Sequence, residues 1–319
     1  MVTQRINDGI GLFEYPEFLV ELMNTFEVKR TQFIIQLGFT PLVYPQATHS
    51  RYVHLLGTAK SAYLMCDAMK KNGPQYIMND SFQRAIASAG MIHDIGHSPY
   101  SHDLHNIFNH YSGLTHEELA SQIILGEYSF EESIRELPEI IMPKHSKEVF
   151  LEICSELDSV PNVLKKHRID KNIVAQIISP PKRDTPDHIG KNKFLRECID
   201  SKIIDADKLD YYERDSRIAN VSQTYFNANS IIPRLGLVKD SEGNFHLAID
   251  EGIIEHINHM ISVRKYDYTN IYTHKKAEIN RAMTYEACKR FFRSINDLTE
   301  KGIDIRSISR SFHLLDDMQ

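Results

Sequence analysis

The 319-residue sequence predicts an all-α fold carrying one small β-hairpin insertion. Three observations support this. Apolar residues recur at three- and four-residue steps along most of the chain, which is the helical period. Charged residues are 25% and hydrophobic residues 42%, an ordinary globular balance with ample material for a core. Only LGLVKDSEGNFHLAID, residues 235–250, departs from the helical period, with two short apolar runs around Ser241-Glu242-Gly243-Asn244 that read as a hairpin.

In chain order, Pro16 opens the first helix, with Phe18, Leu19, Leu22, Met23 and Phe26 on its core face. The segment from about Arg51 to Met69 contains no proline and only Gly57, and reads as a buried helix. Another runs from Ser81 to Ile92 and is stopped by Gly96 and Pro99. Thr115-His-Glu-Glu118 and Ser129-Phe-Glu-Glu132 both fit a capping box, a side-chain cap that opens a helix. Residues 179–193, with three prolines and mixed charge, read as an exposed loop. The segment 201–217 has apolar Ile203, Ile204 and Leu209 and no breaker, and helical periodicity returns from Ile253 to about Ile295. No internal repeat is visible. The expectation is one helical domain over 1–319, its core at about 5–290, with the hairpin and the loop as insertions.

Composition excludes several classes. No run approaches the roughly 18 apolar residues of a membrane span, and the start lacks the basic and apolar blocks of a secretory signal. Lys plus Arg total 37 against 43 Asp plus Glu, a net charge of −6, which argues against broad duplex binding through many phosphates. Cys66, Cys154, Cys198 and Cys288 are far apart and form no CxxC pair, so four buried free thiols in a reducing, cytoplasmic setting are expected.

Histidine is the anomaly. Of 16 in the chain, eight (His49, His54, His93, His97, His102, His105, His110 and His116) lie between positions 49 and 116. Four pieces carry the chemistry: His49-Ser-Arg-Tyr-Val-His54 at a helix start; His93-Asp94-Ile-Gly-His97-Ser-Pro-Tyr-Ser-His102 where a helix runs out; His116-Glu117 in a first turn; and Asp205-Ala-Asp207-Lys208-Leu-Asp210-Tyr211-Tyr-Glu-Arg214-Asp215. A divalent ion takes imidazole and carboxylate ligands converging from rigid elements. Sequence neighbours His93 and Asp94 both reach one ion only where the helix ends, and His54 and Asp207 complete a His2Asp2 set. Asp207, Tyr211 and Asp215 are four apart and share a helix face, with Lys208 and Arg214 beside it. The same acidic run also fits a solvated, salt-bridged face.

The ordered His54 … His93-Asp94 … Asp207 resembles the signature of the HD-domain metal-dependent phosphohydrolases. Within that superfamily the chain resembles the deoxynucleoside triphosphate triphosphohydrolase branch. Ile6-Asn7-Asp8, Gln36-Leu37-Gly38, Arg51-Tyr-Val-His54, the 93–102 stretch, Asp205–Tyr211, Arg214-Asp215, Arg264 and Tyr272-Thr-His274-Lys275 follow its pattern over roughly residues 5–290. The resemblance implies that His54, His93, Asp94 and Asp207 hold a divalent ion (Mn, Mg, Fe or Zn). It implies that Arg51, Lys208, Arg264, His274 and Lys275 grip a triphosphate, that Gln36, Tyr211 and Asp215 contact the deoxyribose, and that Tyr272 lies near sugar or base. His97, His102 and His116 would surround the α-phosphate, Glu117 would stand beside them, and His102 would be the acid for the departing 5′-oxygen. The implied reaction is attack of metal-activated water at the α-phosphate of a dNTP, giving a deoxynucleoside and inorganic triphosphate, in a homo-oligomer.

Two positions depart from the branch. His105 stands where a carboxylate usually orients the His102 position, leaving Asp103 or Glu117 to substitute, and Gly9-Ile10-Gly11 replaces a glycine-flanked histidine. The chain is short for the branch, closing at Leu314-Leu-Asp-Asp-Met-Gln319. The alternatives are an HD phosphohydrolase acting on a cyclic nucleotide, a nucleoside monophosphate or a single-stranded nucleic-acid end, and a catalytically silent nucleotide sensor.

Overall fold

The computed structural model describes residues 3–74, 76–137, 139, 142–221, 225–299 and 309; the tail Leu314–Gln319 lies outside them. Two antiparallel strands, β1 (Gln4–Asn7) and β2 (Leu12–Tyr15), come first. Short helices α1 (Glu17–Leu22) and α2 (Phe26–Lys29) follow, then the long α3 (Arg51–Asn72) and α4 (Asp80–Ile92). Next come α5 (His105–Ser112), α6 (His116–Leu125), α7 (Phe130–Glu136), α8 (Lys144–Glu156), α9 (Val160–Lys166), α10 (Lys171–Ile178), α11 (Phe194–Glu197) and α12 (Ala206–Ala219). A second hairpin, β3 (Leu235–Lys239) with β4 (Phe245–Ile249), precedes α13 (Ile254–Asp267) and α14 (Lys275–Thr299). The expected all-α class with a hairpin at 235–250 is what the structure has, and no helix among the described residues is long and apolar enough to cross a membrane.

Helix α3 is the spine. It packs against α4 on one side and α12 on another, and its buried residues Leu55, Leu56, Ala59, Ala62, Met65 and Met69 join the main core. Gly57 permits the α3–α12 approach: a Cβ there would lie 1.7 Å from Asp210 Oδ1 and 2.4 Å from Arg214 Nη2. Helix α10 closes the far side against α4 with α6 packed upon it, while α14 docks on α5 through a separate aromatic cluster in which Phe292 stacks on Tyr111 at 4.4 Å.

Several boundaries differ from the sequence reading. The Thr115 capping box is complete, with Glu118 N donating to Thr115 Oγ1 and Thr115 N to Glu118 Oε2. The expected helix over 201–217 begins only at Ala206, because Asp205 caps it: Lys208 N donates to Asp205 Oδ1 at 2.7 Å and Ser201 N to Asp205 Oδ2 at 2.8 Å. The expected run from Ile253 to Ile295 is interrupted by a π-helical turn, Tyr268–Tyr272, and by Thr273-His274. The β1–β2 hairpin was not anticipated; its turn is made by Gly9 at φ +89° and by Asp8 Oδ1 accepting from the Ile10 and Gly11 amides. Only Cys66 and Cys198 are buried; Cys154 and Cys288 are half-buried, and all four are free.

Candidate active site

Three helix ends converge on one point. Ser50 precedes α3 in extended backbone, so Arg51 and His54 fall in its first turn. His93 caps the end of α4 just past Ile92 and Asp94 follows it, so adjacent residues turn toward the same centre. Asp207 sits in the first turn of α12. His54 Nε2 is 3.0 Å from Asp207 Oδ1 and 3.7 Å from Asp94 Oδ2; His93 Nε2 is 3.6 Å and 3.3 Å from the same two oxygens. Both rings are pinned from behind. His54 Nδ1 meets Asp210 Oδ2 at 2.8 Å, and His93 Nδ1 meets the Gly90 carbonyl at 3.0 Å. Each imidazole thus turns Nε2 to the centre, and His93 Nε2 is a buried atom with no hydrogen-bond partner among the described residues. An orphaned imidazole nitrogen among two carboxylates, with the ring's other nitrogen hydrogen-bonded, is what a metal-ligating histidine needs.

The field at that centre favours positive charge. Burial pulls His54 down, but the carboxylates of Asp207 and Asp210 outweigh it and hold its pKa up at about 9. His93 is likewise raised against burial by Asp94 and Asp207. Asp94 and Asp207 are depressed despite burial, Asp94 by His93 and Arg51, Asp207 by His54 and His93. A divalent cation answers that field as well as protons do. Behind it, Arg214 donates from Nε and Nη2 to the two oxygens of Asp210, and from Nη1 to the Asp8 carbonyl, so the support for His54 extends to the β1–β2 turn.

A second group of potential ligands adjoins the first: Asp94, His97 and His116. His97 Nε2 is 3.5 Å and His116 Nε2 3.9 Å from Asp94 Oδ1, and the two rings stack at 3.9 Å. His102 stands edge-on to His97 at 4.6 Å, with His105 5.9 Å beyond it. Burial, then the Arg51 charge, push His102 down to about 3; burial takes His116 to about 4 and His97 well below its usual range. These imidazoles are neutral near pH 7, with lone pairs free for an ion or for protons brought by an anionic ligand.

A cavity of about 920 Å³ opens over this floor. The walls bring together the sequence-predicted Gln36, His93, Asp94, His102, His116, Glu117, Asp207, Lys208, Tyr211, Asp215, Arg264 and Tyr272. Tyr272 donates to Asp215 Oδ2 at 2.9 Å, and Asp215 Oδ1 is 2.8 Å from His49 Nε2. Lys208 is tied to the Ser201 carbonyl and Asp205 Oδ2. Arg51 is wholly buried beneath the floor, bonded to Asp94 Oδ2, with its Nε and Nη2 unpartnered among the described residues. His274 and Lys275 lie off the lining: His274 is edge-on to Tyr44 and accepts from Lys276 N, and Lys275 is exposed. Arg214 faces the Asp8–Asp210 network, away from Asp207 and Tyr211.

Sequence reasoning assigned no role to Asp210, Arg196, Glu278 or Arg281, which the fold places at or behind the cavity. The four-residue spacing of Asp210 and Arg214, like that of Arg196 and Asp200, was the available signal. For Arg281 the three-residue spacing from Glu278 was the only local signal, and it does not point to the second partner, Asp103, far away in sequence. Neither suggested substitute reaches His102: Asp103 binds Arg281 and Phe39 N, and Glu117 Oε1 is 3.2 Å from His116 Nε2.

Residues 51–215 match the family model of the HD domain. The chain is 25% identical to "Uncharacterized protein MG461" of Mycoplasma genitalium, over 86% of this chain and 57% of that protein. It is 28% identical to "Uncharacterized protein YwfO" of Bacillus subtilis, over 72% of this chain and 44% of that protein. It is 26% identical to "Deoxynucleoside triphosphate triphosphohydrolase SAMHD1" of Homo sapiens, over 88% of this chain and 44% of that protein. The chain spans about half the length of the relatives it matches.

Proposed function

From the premise that the chain belongs to the HD domain family, we propose that it is a metal-dependent phosphohydrolase of deoxynucleoside triphosphates, releasing deoxynucleoside and inorganic triphosphate. The observation that carries this is the convergence of His54, His93, Asp94 and Asp207, both Nε2 atoms directed inward, at the floor of a cavity that also presents Lys208 and Arg264. The name of the human relative supports the choice of substrate. Assembly as a homo-oligomer and a cytoplasmic location complete the reading.

A divalent ion held by the quartet would supply Lewis acidity, acidifying water and drawing charge from a phosphoryl oxygen. The chain's own groups do the rest. Asp210 fixes the His54 tautomer, so its Nε2 lone pair faces inward. Lys208 and Arg264 offset the charge of the triphosphate. Tyr211, Gln36 and the Tyr272–Asp215–His49 chain present hydroxyl, amide and carboxylate groups to a sugar; the bond between Tyr272 and Asp215 holds two of these in register. A phosphate beside His102 would raise its depressed pKa, equipping it to protonate a departing 5′-oxygen.

One observation favours the binding-only alternative: no carboxylate among those suggested reaches His102. One assay separates the two. Purified protein with Mn or Mg is given each dNTP separately, and products are resolved by ion-exchange chromatography. Inorganic triphosphate plus deoxynucleoside is the expected outcome; binding of dNTPs without product, alone or in mixtures, overturns it in favour of a sensor. Asp207→Ala abolishes metal retention and turnover together. Tyr211→Ala weakens substrate binding with metal content intact, and an equal loss of metal would refute its assignment to the sugar.

A further inference from the structure

Helix α14 reaches the cavity wall through Glu278 and Arg281, and Arg281 makes an ionic contact there. Asp103, next in sequence to His102, is 9% exposed. Its Oδ1 accepts from Arg281 Nε at 2.8 Å and Nη2 at 2.5 Å, and its Oδ2 accepts from the Phe39 amide at 2.7 Å. Arg281 also pairs with Glu278 and donates to the Tyr272 carbonyl at 3.3 Å. Gly38, at φ +52°, passes directly over the carboxylate, where a Cβ would stand 2.3 Å from Asp103 Oδ2. Three separate walls of the cavity therefore meet at a single carboxylate: the 36–39 turn, the loop leading to His102, and the Tyr272–α14 segment.

That loop needs holding. Tyr100 and Ser101 are consecutive non-glycine residues at φ 59° and 52°, a left-handed conformation that costs energy and persists only where the surroundings impose it. Tyr100 stacks on Phe39 at 4.6 Å, and Ser101 Oγ donates to the Ile35 carbonyl at 2.7 Å, so the strained pair leans on the same 35–39 turn that Asp103 grips. On the other side Arg281 fixes the carbonyl of Tyr272, whose hydroxyl reaches Asp215.

We propose that the Arg281–Asp103 pair is a clamp that sets the position of His102, Gln36 and Tyr272 relative to one another, making Arg281 a positioning residue for the reaction. The proposed metal ligands, His54 on α3, His93 and Asp94 just past α4 and Asp207 on α12, lie outside residues 35–39, 100–103 and 272–281, so the clamp acts on substrate geometry and leaves the ion untouched. Planar, side-on donation to one oxygen is specific to a guanidinium; a lysine cannot serve Asp103 and the Tyr272 carbonyl in the same way.

The assignment rests on the proposed phosphohydrolase reading, and the test keeps the two apart. In Arg281→Ala, metal content stays at the wild-type value while kcat/KM falls between about 10- and 100-fold, the range for losing a charge-assisted contact that orders a site. Arg281→Lys recovers only part of the loss, and millimolar guanidinium restores Arg281→Ala, because Asp103 and the place vacated by Arg281 both line the open cavity. Amide exchange of the peptide containing Phe39 supplies a readout independent of turnover: exchange is faster in Arg281→Ala and slows again with guanidinium. Wild-type protein that hydrolyses no nucleotide defeats the functional reading alone, and the clamp then stands or falls on the exchange data. Unchanged exchange at Phe39, or a loss of activity that Arg281→Lys fully repairs, overturns the clamp.

Discussion

At the scale of single residues, the site is an exercise in keeping lone pairs and charges aimed. Asp210 is the clearest case, because it never faces the cavity centre yet fixes His54 through Nδ1 and is itself held by Arg214. Asp210→Asn removes the buried negative charge that balances Arg214 while keeping the shape. Metal affinity should fall by about 10- to 100-fold, the usual effect of losing a ligand's supporting carboxylate. Titration of metal-stripped protein measures this, and an unchanged affinity would show that His54 needs no such support. The four proposed ligands were legible in the sequence as a cluster because their types, order and position at helix ends are local properties: His54 in a first turn, His93-Asp94 at a helix exit, Asp207 behind an Asp cap. Asp210 was visible as a letter of the same motif but not as a partner of His54, since 156 residues separate them. Asp103 illustrates the converse. It was a reasonable substitute for the missing carboxylate at His105, and the fold gives it to Arg281 instead.

At the scale of elements, helices were read well where periodicity and caps agreed and poorly where a buried polar group intervened. Asp205 moved the start of α12 by capping it, and the Tyr272–Asp215 bond accompanies a π-helical turn that no apolar pattern could foretell. The first is a local cap and the second a tertiary contact between positions 57 residues apart. The seam between α2 and α9 is another buried polar contact, and it carries a pH prediction. Glu27 is 7% exposed and accepts from Val160 N at 3.3 Å. Burial raises it from 4.5 to about 7, partly offset by backbone donors. Its folded pKa therefore exceeds its unfolded one, and the folded state binds the extra proton between about pH 4.5 and 7. Stability from this group is present at the acid end and is lost as pH rises through 7. Glu27→Gln keeps the contact and cannot ionise, so relative to wild type it should gain on the order of 3 kcal/mol between pH 5 and pH 8, at about 1.4 kcal/mol per pH unit. Urea unfolding at the two pH values measures this; a difference independent of pH would show that Glu27 titrates at the seam as it does in the unfolded chain, with no raised pKa.

At the scale of the whole molecule, the proposed ligand set joins three stretches far apart in sequence, since positions 54, 93–94 and 207 come from the start of α3, the exit of α4 and the start of α12. No unfolded chain presents that geometry, so a bound ion is linked to folding. At a hundredfold excess over Kd the linkage is worth about 2.7 kcal/mol, which for a chain of this size raises Tm by roughly 4–8 °C. The effect depends on pH with a definite sign. His54 is held up at about 9 by Asp207 and Asp210, so at pH 7 it carries a proton that the ion must displace. Because His93 is raised as well, the ion displaces one to two protons, and affinity should climb by about ten- to a hundredfold per pH unit from pH 7 toward 9. Calorimetric scans of metal-stripped protein at pH 7 and pH 8.5, with and without Mn, would show a larger shift at the higher pH. Asp207→Ala removes a ligand and one of the two carboxylates that hold the proton, so its metal-induced shift should vanish at both. A shift that survives in Asp207→Ala would place the ion elsewhere and leave the quartet as a buried polar cluster that stabilises the meeting of three helices.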